Sequence, residues 1–257
     1  MLNSLISAFL MYSRIPMPQI EWKEENRRYA LAFFPLVGAV IGLLIILWKY
    51  VCDVLSVGNF LFAAVSVLIP IIVTGGIHID GFCDVTDAVS SFADKKKRLE
   101  IMSDPHIGSF AAIYSCIYFI LQTALFSEIK SFGTVIAVSC GYVVSRALSG
   151  LSAVSFNSAK SEGALQNFVK PSHKKITAAA EIFFLFASAA IIFFFGGATR
   201  SILCMITAVS VFLYYKRKSY GLFGGTTGDL CGWFLQLCEI WFLAAAVISE
   251  KITEMIK

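Results

Sequence analysis

Apolar residues along this chain come in continuous runs, at roughly 30–51, 58–74, 110–127, 132–154, 177–196, 201–215 and 229–248. Runs of about 17 to 25 residues are long enough to cross a hydrocarbon core of about 30 Å as helices. They lack the strict in-out alternation of a lipid-facing barrel strand, which argues against a β-barrel. The pattern predicts an all-α, polytopic membrane helix bundle of about seven transmembrane helices (six to eight), forming one integral membrane domain over 1–257. The run at 201–215 is the shortest for a span, and losing it would move the C-terminus to the other side. Ahead of the first span, the apolar stretch Met1–Met11 runs into Ser13-Arg14-Ile15-Pro16-Met17-Pro18, where prolines that cannot donate hydrogen bonds predict the end of a short helix. That stretch is short and has no basic flank, so no cleavable signal is expected.

Composition agrees. The 257 residues are 58% hydrophobic and 15% charged, with net charge +4 and mean hydropathy +0.77. A soluble domain carries about 25% charged residues. The seven cysteines are scattered without a C-x-x-C pair, which excludes a zinc-finger or disulfide framework and leaves them as small packing residues.

Charge placement sets the orientation. With seven spans and a cytoplasmic N-terminal segment (1–28), fifteen basic residues fall inside: Arg14, Lys23, Arg27, Arg28, Lys95–Lys97, Arg98, Lys160, Lys170, Lys174, Lys175, Lys216, Arg217 and Lys218. Five fall outside: Lys49, Lys130, Arg200, Lys251 and Lys257. This positive-inside bias predicts the long polar connections 75–109, 155–176 and 216–228 on the cytoplasmic side. The expected partners are membrane lipid and small molecules, with no nucleic acid.

Candidate chemistry concentrates in 75–109. Asp80, Asp84 and Asp87 stand at i, i+4 and i+7, within about 60° of one another on a helix. Two such charges about 6 Å apart repel by roughly 3 kcal/mol at an effective dielectric near 20. A solvated acidic patch is the bland reading. Gly75, Gly76 and Gly81 around the motif, and the apolar Phe82, Val85 and Ala88 within it, favour a divalent cation instead. Oxygen-only ligands suit Mg²⁺ or Mn²⁺ rather than zinc. His78 is a ligand, base or phosphate contact on one reading and a structural histidine on the other.

The run Lys95-Lys96-Lys97-Arg98 is a lipid-headgroup contact or a phosphate-binding face. Asp104, before Pro105, is placed to bring a fourth carboxylate back toward Asp80 and Asp84. Arg146 lies inside a span, where insertion costs about 2.5 to 3.5 kcal/mol, so it needs an interior partner: a carboxylate of the acidic face or a substrate phosphate. Near the end, Gly224-Gly225-Thr226-Thr227-Gly228-Asp229 opens a helix and offers backbone N–H groups to an anion. Gly232, Gln236 and Glu239 continue a polar or small stripe from Asp229, so Gly228, Asp229 and Glu239 form a possible additional site.

Together these stretches resemble the cobalamin synthase family, the adenosylcobinamide-GDP ribazoletransferases. The resemblance rests on Phe9–Pro18, Phe34-Pro35-Leu36-Val37-Gly38, Gly75–Asp87, Arg98–Gly108 and Gly224–Asp229, in the family's order. The family favours Gly-Ala after the final Gly-Asp and a carboxylate where Gln236 stands, so Trp233 and Gln236 count against metal binding by the last helix. The resemblance implies a Mg²⁺-dependent phosphotransfer from a nucleotide-activated corrinoid to α-ribazole or its 5-phosphate, with GMP leaving. It also looks related to the CDP-alcohol phosphotransferases, which use clustered aspartates on membrane helices. Asp80, Asp84 and Asp87 are then the expected metal ligands. Arg14, His78, Arg98, His106 and Arg146 are the expected phosphate contacts, and Asp104 or Asp87 the base. A cation-coupled transporter is the rival, suited by Arg146, Asp229 and Glu239 inside spans. No inverted repeat supports it, and the charges gather at one face.

Overall fold

A computed structural model describes residues 1–160 and 163–256; Lys257 and two residues of the 155–176 connection lie outside it. A short α1 (Leu2–Tyr12) and one turn, α2 (Glu24–Arg27), precede α3 (Phe34–Val54), α4 (Asn59–Thr74), α5 (Ile77–Ser90) and α6 (Lys95–Ile101). Then follow α7 (Ser109–Ser127), α8 (Phe132–Ser155), α9 (Ala164–Val169), α10 (Lys174–Gly196), α11 (Ala198–Lys218) and α12 (Gly228–Ile256). Among the described residues six helices are long and apolar enough to cross a membrane, and a seventh counts if α4 and α5 are taken as one bent span. The expected polytopic helical bundle is therefore present.

The doubtful sixth run is a full helix of 21 residues, α11. Apolarity alone ended it early, because the last turn is Lys216-Arg217-Lys218, where cations favour a helix C-terminus. Its first turn holds Arg200, which is buried and hydrogen-bonded to Ser249 Oγ and to Gly196 O.

In lipid there is no hydrophobic drive between helices, so close backbone approach has to supply van der Waals contact. The α3–α8 pair shows it. Gly38 and Gly42, one turn apart, lie against the backbone of α8 at Tyr142 and Ser139. A Cβ on Gly42 would meet Ser139 O at 2.7 Å, and one on Gly38 would overlap Tyr142 O outright. Outside this packed centre, α10 turns Phe183, Phe186, Phe194 and Phe195 outward as a lipid-facing surface. Replacing Gly42 with Leu should separate α3 from α8 and lower the apparent melting temperature in detergent by several degrees, checked by thermal unfolding of purified protein.

The feature that builds the site is a break. Gly75 (φ 65°) and Gly76 (φ 81°) both take the left-handed conformation, which only glycine adopts without cost. The chain turns 95° there, so α5 runs across the bundle and is no continuation of α4. Arg14 N–H donates to Val73 O at 2.7 Å, and the Arg14 side chain lies over Gly75. That bond fixes the N-terminal segment beside the turn. On its other side α5 crosses the start of α12 at two glycines. A Cβ on Gly81 would sit 2.8 Å from Asp229 O, and one on Gly232 would sit 3.1 Å from His78 O.

Candidate functional site

The break frames an open cleft of about 880 Å³, lined among others by Arg14, Asp80, Asp84, Asp104 and His106. Five residues singled out in separate stretches of sequence thus meet. Asp80 and Asp84 are one turn apart on α5 and face the cleft together. The Asp84 carboxyl is pushed up to about 7, first by burial, then by the charges of Asp80, Asp229 and Asp87 in that order, with Lys160 opposing. Asp104 sits past the end of α6 and accepts from His106 N–H at 2.9 Å. Its Oδ1 also meets His106 Nδ1 at 2.8 Å. These bonds, the backbone one foremost, hold the Asp104 carboxyl below the ordinary range.

Asp87 does something else. Its two oxygens accept from Gly108 N–H at 2.7 Å and Ala111 N–H at 2.9 Å, so it caps α7. Spacing on α5 put it on the acidic face, but the orphan amides at the start of α7 draw its carboxylate away from the cleft. Asp87→Ala should cost about 1–2 kcal/mol as a lost cap, read as a lower melting temperature in detergent, with the cleft chemistry largely retained.

Asp229 comes near Asp80 and Asp84 without lining the cleft. It opens α12, and its charge acts on Asp84 ahead of that of Asp87. Asp80 and Asp229, with Gly228 and His78, line a second, smaller cavity. The loop carrying Asp229 is clasped: Thr226 N–H donates to Asn157 O at 2.8 Å, and Ala159 N–H donates to Thr226 O at 2.9 Å. Thr227 Oγ1 accepts from Leu230 N–H at 3.2 Å as a helix cap. The glycine-threonine turn therefore spends much of its hydrogen bonding on holding itself in place.

The same clasp brings in Lys160, which the motif reading passed over. Its Nζ donates to Ser103 Oγ at 3.1 Å, and its charge bears on Asp84. A single lysine in a polar connection carries no sequence signal that separates it from the other cytoplasmic cations.

Three expected phosphate contacts lie elsewhere. Arg146 is fully buried and pairs with Glu239, with Nη1 also donating to Ser145 Oγ at 2.9 Å and Tyr142 O at 3.2 Å. Its partner is thus a carboxylate deep in α12, away from the acidic face, and Glu239 is spent on the same pair. Arg98 is half-buried on α6 and is absent from the cleft wall, with Nε unpartnered among the described residues. His78 is buried at 5% exposure, its Nε2 likewise unpartnered.

Among the described residues no three histidine, cysteine or carboxylate side chains converge into a ready metal cage. A hard cation that keeps several waters and takes one or two carboxylates plus substrate phosphates does not require one. The donor chemistry fits such an ion: oxygens only, from Asp80 and Asp84 with Asp229 near, and Lys160 as the opposing charge on Asp84 and Asp229.

Residues 4–247 match the family model described as cobalamin-5-phosphate synthase. The chain belongs to the cobalamin-5-phosphate synthase family. A relative from Lachnoclostridium phytofermentans, named adenosylcobinamide-GDP ribazoletransferase, is 44% identical over 252 residues, covering 98% of this chain and 95% of that protein. Relatives of the same name from Clostridium botulinum (strain Alaska E43) and Geobacillus sp. (strain WCH70) are 28% and 31% identical, over 96% and 87% of this chain and 97% and 86% of theirs. No solved structure matches. Family membership leaves the transporter reading without support.

Proposed function

We propose that this chain joins adenosylcobinamide-GDP to α-ribazole or its 5-phosphate, releasing GMP, at a cleft on the cytoplasmic face of a prokaryotic cytoplasmic membrane. The observation that carries the reading is the 880 Å³ cleft, where carboxylates, Arg14 and the Asp104–His106 pair converge in a member of this family. The cleft is open and polar enough for a bulky corrinoid with a diphosphate, and its loops belong to the basic side of the chain.

The acceptor hydroxyl attacks the phosphorus on the cobinamide side of the diphosphate. A new P–O bond forms as the bond to the GMP phosphate breaks, and the hydroxyl proton leaves to a base. Of the two bases expected from sequence, Asp87 is committed to α7. Asp104 remains, with His106 held against it by two hydrogen bonds, and the proton passes to this pair. Arg14 lies over the Gly75 turn, placed to hold phosphate oxygens. Asp80 and Asp84, with Asp229 beside them, would hold Mg²⁺ or Mn²⁺, which would supply charge neutralisation to the phosphates.

The test is direct. Purified protein in detergent, given Mg²⁺, adenosylcobinamide-GDP and α-ribazole, should release GMP and form a corrinoid bearing the ribazole ligand. Chelation by EDTA should stop GMP release and added Mg²⁺ restore it. Folded protein that releases no GMP overturns the reading; activity that survives chelation removes the metal from it.

A further inference from the structure

The open cleft is not alone. A second cavity of about 120 Å³ lies behind it, among α1, α3, α5, α8 and α12. The two share Met11, Ile77 and Asp80, so Asp80 stands at their junction. Their characters differ. The cleft carries four charged side chains, Arg14, Asp80, Asp84 and Asp104, besides His106. The smaller cavity has Asp80 and Asp229 at one end and is otherwise walled by Leu31, Phe34, Ala153 and Leu235, all at most 5% exposed. Its wall also carries two buried polar side chains, His78 and Ser149, and His78 Nε2 has no partner among the described residues. A mostly apolar space with an unmet hydrogen-bonding atom has the make-up of a ligand seat, and its volume suits one flat ring system and no more.

We propose that this cavity seats the base of the acceptor, which rests on the transferase reading above. Ribazole carries a flat, methylated, largely apolar heteroaromatic base with one free ring nitrogen, joined to a ribose. The apolar walls take the base, and His78 Nε2 takes the free ring nitrogen as a hydrogen-bond partner. The ribose then points to the Asp80–Asp229 end, where its hydroxyl meets the phosphates held in the open cleft. Donor and acceptor are thereby sorted by polarity on either side of Asp80. Ala153 on α8 and Leu235 on α12 become specificity-determining residues: they set how large a base fits.

The experiment compares acceptors. Ala153→Phe narrows the cavity without touching the cleft. GMP release is followed with α-ribazole and with imidazole riboside, whose base lacks the fused, methylated ring. Ala153→Phe should raise KM for α-ribazole at least tenfold, leave KM for adenosylcobinamide-GDP within twofold, and leave the imidazole riboside close to wild type. Leu235→Ala makes the opposite change and should admit a riboside with a larger, naphtho-fused base that the wild type rejects. Equal loss on both acceptors in Ala153→Phe, together with no widened range in Leu235→Ala, overturns the proposal. Wild-type protein that forms no product with either acceptor would instead sink the transferase reading, so the two failures are told apart.

Discussion

Asp84→Asn should abolish turnover, lowering kcat by at least about 10³-fold, equivalent to about 4 kcal/mol of transition-state stabilisation. The substitution keeps size and shape while removing the charge that a cation needs. It also relieves strain: burial first, and then the charges of Asp80 and Asp229, push the half-buried Asp84 carboxyl up to about 7. Stability of the variant should therefore match or slightly exceed the wild type, so lost activity with an unchanged or higher melting temperature is the signature. Initial-rate GMP release and thermal unfolding on the same preparation check both halves. A variant with wild-type rates would remove Asp84 from the chemistry. One that loses activity and stability together would make it a structural residue.

The second large effect concerns stability alone. Arg146→Met leaves Glu239 buried without its partner, and breaking such a pair costs about 3–5 kcal/mol. Expression and melting temperature in detergent should both fall sharply. The double variant Arg146→Met with Glu239→Leu removes both charges and should recover most of the loss, since apolar side chains of similar volume replace such pairs at little cost. Full recovery of activity in the double variant would confine the pair to holding α8 against α12. Recovery of folding without activity would return Arg146 to the chemistry.

Legibility in the sequence followed the physics that local pattern can carry. Spans were readable because a lipid-crossing helix needs a run of apolar residues, and each expected span corresponds to an observed helix. Helix ends were less so: α11 continues through Lys216-Arg217-Lys218 and α12 to Ile256, because polar residues continue a helix past the apolar run. The acidic motif was readable as a face, since Asp80 and Asp84 follow helical spacing. Asp87 fits the same spacing yet serves α7, because the amides that capture it come from Gly108 and Ala111, more than twenty residues on. Asp229 was set apart as a possible additional site, and nothing in its neighbourhood of the chain announced that the glycine crossing would bring it to Asp80. The place of Arg146 within a span calls for an interior partner, but Glu239 follows only from which helices touch.

The crossing of α5 over α12 also bears on how the molecule is made. Asp80 and Asp229 are separated by most of the chain, and the second arrives only with the last helix. Until α12 enters the bilayer, the aspartates of α5 have neither the wall opposite them nor the glycine seat at Gly232. A ribosome-bound chain ending before Gly228 should therefore be inserted yet catalytically silent.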